Sequence, residues 1–332
     1  MNIKLPKQFS ALKDAGLIKD LESRMAEVEK RLMVATSHTE PLINEMSSHL
    51  SAAGGKRMRP VLVLLTSHLG NKDLDQVLDA AVVMEVTHLA TLYHDDVMDQ
   101  ANARRGVETA HIVWGNNVAI LVGDLLFARA SNIVAGLGEE ALKLQAKVFE
   151  QLVLGQLHES IGPKDNQDPL EHYVSVLRDK TGSLIALSAR LGAMIAGADG
   201  RFQEPLQQFG DNIGIAFQLA DDLIDIQGKA EESGKISGTD LLAGVPTLPV
   251  LLLAQFEDLK SRELLAEISA GVTEENLKSV LERLREHEVM ELAQKQTNEW
   301  ADRAIAAIEP LPEGSVKSAL VAFARAVVDR KG

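Results

Sequence analysis

The chain has 332 residues, 45% of them hydrophobic and only 4% aromatic, with a formal net charge of −14 and no cysteine. An acidic surface repels phosphate backbones, so the composition argues against general nucleic-acid binding, and any anionic ligand must meet a local basic cluster. Without cysteine there are neither disulfides nor thiolate metal sites. The opening MNIKLPKQFSALKD lacks the continuous apolar stretch of a signal peptide, and apolar runs such as 245–254 are short and carry prolines, so a cytoplasmic protein is expected.

Helical periodicity runs along the chain. Apolar residues recur at three- and four-residue spacing over 10–35, and a second helix is predicted over 40–53. Gly54-Gly55-Lys56-Arg57-Met58-Arg59-Pro60 breaks it, with Pro60 suited to the first turn of the helix that follows. The stretch 75–99 is apolar on nearly every face, which predicts a helix buried all round. Residues 101–108 read as a loop. Helices are predicted over 114–135, 139–161, 169–197 and 202–226, and the glycine-bearing polar segment 228–238 as a mobile stretch. Beyond it, helices alternate with short turns to the end. No strand alternation is visible, and the simplest architecture is one all-α domain over residues 1–332.

Two acidic clusters stand out. Asp95-Asp96-Val97-Met98-Asp99 and Asp221-Asp222-Leu223-Ile224-Asp225 both have the form D-D-x-x-D. On a helix, residues four apart share a face, so Asp95 and Asp99 stand one turn apart, as do Asp221 and Asp225. A solvated helix end explains one such cluster tolerably. Two at the ends of apolar helices are explained poorly that way, because grouped carboxylates repel and are costly to bury. All-oxygen ligands suit a hard cation, and magnesium commonly bridges carboxylates to phosphates. The basic residues supply the complement: Lys56, Arg57 and Arg59 in the glycine turn, Arg104 and Arg105 just past the first cluster, Lys180 before Thr181-Gly182, and Lys229 and Lys235 after the second cluster. Each alone reads as a surface cation; together, in so acidic a chain, they indicate phosphate binding. There is no G-x-x-x-x-G-K-[ST], hence no P-loop.

With these residues in view the chain resembles the trans-prenyl diphosphate synthases, above all the long-chain members. The signposts are GGKRMRP at 54–60, LYHDDVMD at 92–99 with RRG at 104–106, Gly123-Asp124, KTGSL at 180–184, FQLADDLID at 217–225, and GK…TDL…TLP over 234–249. The resemblance implies an isoprenoid-synthase helical bundle around a central active-site cavity. It implies that Asp95 and Asp99, with Asp96 beside them, hold two magnesium ions on an allylic diphosphate, and that Asp221, with Asp222 or Asp225 near, holds a third. Arg104, Lys180 and Lys235 then grip the allylic diphosphate, Lys56, Arg59, His88 and Arg105 bind isopentenyl diphosphate, and Thr181 and Gln218 line the space between the substrates. One departure is visible: where many members carry a lysine before TLP, this chain reads Gly244-Val245-Pro246-Thr247.

Product length is expected to depend on the helix before Asp95. Ala90 and Thr91, one turn before it, are small and leave a channel open, with Thr87 and Met84 deeper; Phe127 and Phe149 are candidate floors on neighbouring helices. Met84 lies about 16 Å from Asp95 at 1.5 Å per residue. A floor there stops growth after a few units of roughly 5 Å each, although a flexible methionine can move aside. The expected product is a polyprenyl chain of about six to ten isoprene units, suited to a quinone side chain such as that of menaquinone, with a geranylgeranyl product as the competitor. A homodimer, and transient membrane contact as the greasy product leaves, are also expected. The readings from other classes are a His-Asp metal phosphohydrolase built on His94-Asp95 with His68 and His88, a non-catalytic subunit of a heteromeric synthase, and a terpene cyclase. The first leaves the second acidic cluster unexplained, and the other two expect an altered acidic motif.

Overall fold

The computed structural model describes residues 4–9, 12–228 and 237–329. The fold is all-α, as expected, and its chain divides into two compact units. The first comprises 1–150, 184–207 and 310–320; the second comprises 151–183, 208–309 and 321–332.

In the first unit, α1 (Ala15–Thr36) starts at Asp14, whose carboxylate accepts from the backbone N–H of Gly16 and Leu17 at 2.9 and 3.0 Å. That satisfies two of the donors a helix start leaves open. Its stripe Leu17, Leu21, Met25, Val28 and Leu32 is buried. After α2 (Pro41–Ala52) and the glycine turn comes α3 (Met58–Ser67), which is buried from Val61 to Ser67. Pro60 does fall in its first turn. α4 (Gln76–Met98) is inside on nearly every face, as its sequence predicts, and packs on α1, α3 and α6.

Two local differences from the sequence reading follow. The loop after α4 holds a two-rung antiparallel pair, Ala103–Arg104 with Val107–Glu108, too short to show any alternation. The helix expected from 114 is α5 (Ala110–Trp114) and α6 (Asn116–Ala135), parted by Gly115 at φ +86°, a conformation L side chains rarely adopt. α6 is long and apolar enough to cross a membrane by length and composition, although a third of its apolar stretch is buried in the protein and it packs along α4. No single uninterrupted apolar run reveals this, because Asp124 and Arg129 interrupt it. α7 (Glu139–Ile161) follows its predicted span.

In the second unit, the helix expected over 169–197 is broken into α8 (Pro169–Leu177), a π-turn at Arg178–Gly182, and the start of α9 (Ser183–Ile195). α10 (Gln203–Gln227) carries the second acidic cluster. The remaining helices are α11 (Thr239–Leu242), α12 (Leu248–Leu253), α13 (Leu259–Ala270), α14 (Leu277–Glu286), α15 (Val289–Ala307) and α16 (Ser315–Val328), the last belonging to this unit from 321 onward. Their core joins Leu219, Leu223 and Ile226 of α10 to Leu248 and Leu252 of α12, Val280 and Leu284 of α14, and Val289 of α15. Each such buried aliphatic side chain contributes about 1.5–3 kcal/mol. This core sets the face of α10 that carries Leu219 and Leu223, and thereby the directions in which the acidic residues between them point.

Candidate active site

The first acidic cluster ends α4. Asp95 is half-buried and Asp99 is exposed, while Asp96 is fully buried. Asp96 Oδ1 accepts from Arg104 Nε at 2.7 Å. Burial raises its carboxyl and the Arg104 charge opposes that rise. The structure therefore turns Asp96, one of the six expected metal ligands, inward onto Arg104. Its second oxygen is buried with no hydrogen-bond partner among the described residues. Because Asp96 engages only Nε, it fixes the plane of the Arg104 guanidinium and leaves both Nη groups without a partner among the described residues.

The glycine turn builds a basic cluster beside α4. Arg57 and Arg105 both adopt left-handed backbone, at φ +49° and +55°. Such non-glycine strain persists where surrounding contacts fix it. Those contacts centre on Glu85, which sits 1% exposed in α4. Glu85 Oε1 meets Arg57 Nη1 at 2.8 Å and Arg105 Nη2 at 3.5 Å, and Glu29 holds Arg57 Nε at 2.6 Å. Although burial pulls Arg57 down, Glu85 and Glu29 hold its guanidinium above the ordinary value. Arg105 Nη1 also donates to Leu50 O at 2.9 Å and to Gly54 O. Gly55 is required here, since a Cβ on it would lie 2.7 Å from the Arg105 guanidinium carbon.

Arg59 is different. Among the described residues its buried Nε has no acceptor and its side chain has no ion-pair partner. Burial lowers it to about 10, with Glu85 and Asp95 opposing and Arg105 adding to the fall. His88, one turn after Glu85, is held well below its ordinary value by burial and by Arg59, Arg105, Arg104 and Arg57, so it is neutral near pH 7. Lys56 is exposed and lines a cavity of about 620 Å³ together with Glu29, Arg57, Met25 and Leu32.

Further up α4, Ala90, Thr91, Thr87 and Met84 are all buried. Thr91 Oγ1 donates to His88 O at 2.8 Å, whereas Thr87 Oγ1 is buried with no partner among the described residues. His94 turns toward α6: its Nε2 lies 3.0 Å from Ile120 O and 3.4 Å from Asp124 Oδ1. Gly123 makes that possible, for a Cβ there would come within 2.2 Å of the imidazole. His94 stacks on Phe127 at 5.8 Å, and Phe127 on Phe149 at 4.2 Å.

The second unit repeats the inward aspartate. Asp222 is buried and accepts from Tyr173 Oη and from the backbone N–H of Leu248 at 3.2 Å. Burial drives its carboxyl up to about 7 against these donors. Asp225 accepts from Thr239 N, Thr239 Oγ1 and Asp240 N, at 3.2, 2.9 and 3.2 Å, and so caps α11. Asp221 is half-buried. Asp240 lies within the field of both: burial first, then Asp225 and Asp221, raise it to about 6. Lys180, on the π-turn, meets Glu159 at 2.7 Å. Thr181 and Gln218 are half-buried, with no side-chain hydrogen-bond partner among the described residues. Lys229 and Lys235 lie outside the described residues, as does most of the segment expected to be mobile.

Sequence reasoning passed over Glu85, Glu159, Tyr173 and Asp240. Glu85 had a local signal, a single acid within an apolar helix, and Asp240 stands in the TDL signpost. The other two are marked only by partners far along the chain. Among the described residues no three His, Asp or Glu side chains are gathered closely enough to hold a metal by themselves. The donors still fit magnesium: they are all carboxylate oxygens, the ion keeps several waters and borrows phosphate oxygens, and mutual repulsion at Asp221, Asp225 and Asp240 is what a cation relieves.

The Polyprenyl synthetase family matches residues 40–286. A nonaprenyl diphosphate synthase of Mycobacterium tuberculosis is 40% identical over 97% of this chain and 96% of its own. Among solved structures, geranylgeranyl pyrophosphate synthase from Corynebacterium glutamicum, complexed with calcium and isoprenyl diphosphate, is 41% identical with a TM-score of 0.86, covering 97% of this chain and 99% of that one. A polyprenyl synthase from Caulobacter crescentus, also complexed with calcium and isoprenyl diphosphate, is 31% identical with a TM-score of 0.87 over 97% and 99% of the two chains. The acidic motifs, the arginine-lined glycine turn and these matches carry one conclusion: the chain belongs to the polyprenyl synthetase family of prenyltransferases.

Proposed function

We propose that this enzyme condenses isopentenyl diphosphate head to tail with an allylic diphosphate and extends the product to about six to ten isoprene units, for a quinone side chain. The observation that carries the reading is Arg59. Its side chain is half-buried, its Nε is shielded from water with no hydrogen-bond partner among the described residues, and an arriving anion relieves that cost. It stands in the fields of Glu85 and Asp95, next to a strained turn. Arg59, Arg105, Lys56 and neutral His88 bind isopentenyl diphosphate in this reading, and Glu85 holds Arg57 and Arg105 in place.

Arg104, oriented by Asp96, and Lys180 grip the allylic diphosphate, with Lys235 as a third contact. Asp95 and Asp99, and in the second unit Asp221 with Asp240, take the magnesium ions of that diphosphate. Bound magnesium supplies charge neutralisation of the leaving diphosphate. The residues of the chain do the rest: they orient the two substrates for attack of the isopentenyl double bond on the allylic carbon and bias the site toward the charge that develops. Thr181 and Gln218, with hydroxyl and amide available, line the reacting carbons. The departing diphosphate takes the proton.

The relatives point in two directions on length, one named for a nonaprenyl and one for a geranylgeranyl product. Small, buried Ala90 and Thr91 favour the longer chain, and the bulky Tyr93 between them and Asp95 turns to α2, where its hydroxyl donates to Met46 O at 2.6 Å. Exposed Ile112, Val113, Ile120 and Leu121 on α5 and α6 favour a homodimer over a membrane span. We place the protein in the cytoplasm, with brief membrane contact on product release. Incubating it with radiolabelled isopentenyl diphosphate, magnesium and each allylic primer, then sizing the products, tests the reading. Products of about thirty carbons or more support it, and a product stopping at twenty carbons assigns the shorter activity. Ala90→Phe shortens the longer product; unchanged length contradicts the channel along α4.

A further inference from the structure

The π-turn at Arg178–Gly182 is held by two helices. α7 presents Gln151, Gly155 and Glu159, which at four-residue spacing form one stripe. Gln151 Nε2 donates to Asp179 Oδ1 at 2.8 Å. A Cβ on Gly155 would lie 2.9 Å from both Asp179 Cβ and Lys180 N, so the turn packs directly on the α7 backbone. On α10, a Cβ on Gly214 would lie 2.3 Å from Gly182 Cα. The backbone of Lys180 is thereby fixed, and only its four-carbon side chain keeps rotamer freedom. Glu159 restricts that freedom through its 2.7 Å ion pair, the Lys180 and Glu159 side chains being 24% and 42% exposed.

We propose that Glu159 is a positioning residue that holds Lys180 extended for the allylic diphosphate. The inference rests on the reading that Lys180 grips that diphosphate. An ammonium has three donors, so Lys180 keeps Glu159 through one N–H and offers the other two to phosphate oxygens. The alternative role for Glu159 is a competitor that must be displaced, and the two roles predict opposite signs.

The test is a double-mutant cycle of Glu159→Ala and Lys180→Ala, with farnesyl diphosphate as the allylic probe and isopentenyl diphosphate as co-substrate. Thermal melts serve as the folding control, and calorimetric binding of inorganic diphosphate in magnesium as a readout independent of turnover. Glu159→Ala raises KM for farnesyl diphosphate about three- to tenfold, weakens inorganic diphosphate by a similar factor, and leaves KM for isopentenyl diphosphate unchanged. Glu159→Gln, which keeps an acceptor, recovers part of the loss. In the Lys180→Ala background, Glu159→Ala adds no further loss. Tighter diphosphate binding in Glu159→Ala, or losses that add in the double variant, overturns the proposal while leaving the assignment of Lys180 intact. Unchanged diphosphate affinity in Lys180→Ala itself overturns both.

Discussion

The two D-D-x-x-D motifs read alike in sequence and are used differently. In each, the second aspartate points inward, Asp96 to Arg104 and Asp222 to Tyr173 and the Leu248 N–H. The last aspartates diverge: Asp99 is exposed at the end of α4, whereas Asp225 caps α11 and brings Asp240 into the field of Asp221. The first motif thus keeps its outer carboxylates on a single helix turn. The second sets one on α10 and one on α11, with Asp225 fixing the join. A repeated motif therefore specifies charge, while the long-range partners decide how each carboxylate is held.

The largest effects break the comparison between outer and inner positions. Asp95→Ala and Asp221→Ala are expected to lower turnover by about a thousandfold or more while the fold stays intact, as removal of groups that stabilise transition-state charge does. Steady-state incorporation of labelled isopentenyl diphosphate checks this. The inner positions trade activity for stability. Asp96→Ala leaves Arg104 unpaired at a partly exposed site and is expected to cost about 1–3 kcal/mol in urea unfolding, with a smaller loss of turnover.

This division was only partly legible beforehand. The buried α4, the glycine turn and both acidic clusters are written as local patterns, because a helix face and a tight turn follow from neighbours in sequence. The arginines of the basic cluster were legible, yet Glu85, the group that organises two of them, was not read from its place in an apolar run. Tyr173 pairs with Asp222 and Glu159 with Lys180 across stretches that carry no sequence mark. The π-turn was hidden because RDKTG reads as ordinary helix. It is the close approach of Gly155 and Gly214, contributed by two other helices, that identifies the place.

Smaller effects sharpen the second motif. Asp240 has its carboxyl raised from 3.8 to about 6. A group raised on folding favours the folded state at low pH, and that advantage is lost as pH rises from about 4 through about 6. In metal-free protein, Asp240→Asn is therefore expected to match the parent near pH 4 and to exceed it by about 1–2 kcal/mol at pH 7.5, after allowing for partial exposure. Magnesium with inorganic diphosphate should narrow that difference, and urea unfolding across pH reads it. Tyr173→Phe leaves Asp222 with one donor and is expected to cost about 1 kcal/mol, seen as a lower urea midpoint.

The most direct measurement is calorimetric titration of farnesyl thiodiphosphate, an unreactive allylic probe, with and without magnesium, into the parent enzyme and into Asp95→Asn, Asp99→Asn and Asp96→Asn. The outer variants are predicted to lose the magnesium-dependent part of the affinity, and Asp96→Asn to keep it while binding more weakly overall. Loss of magnesium dependence in Asp96→Asn, with Asp95→Asn and Asp99→Asn retaining it, would contradict the assignment of the outer aspartates to the metal.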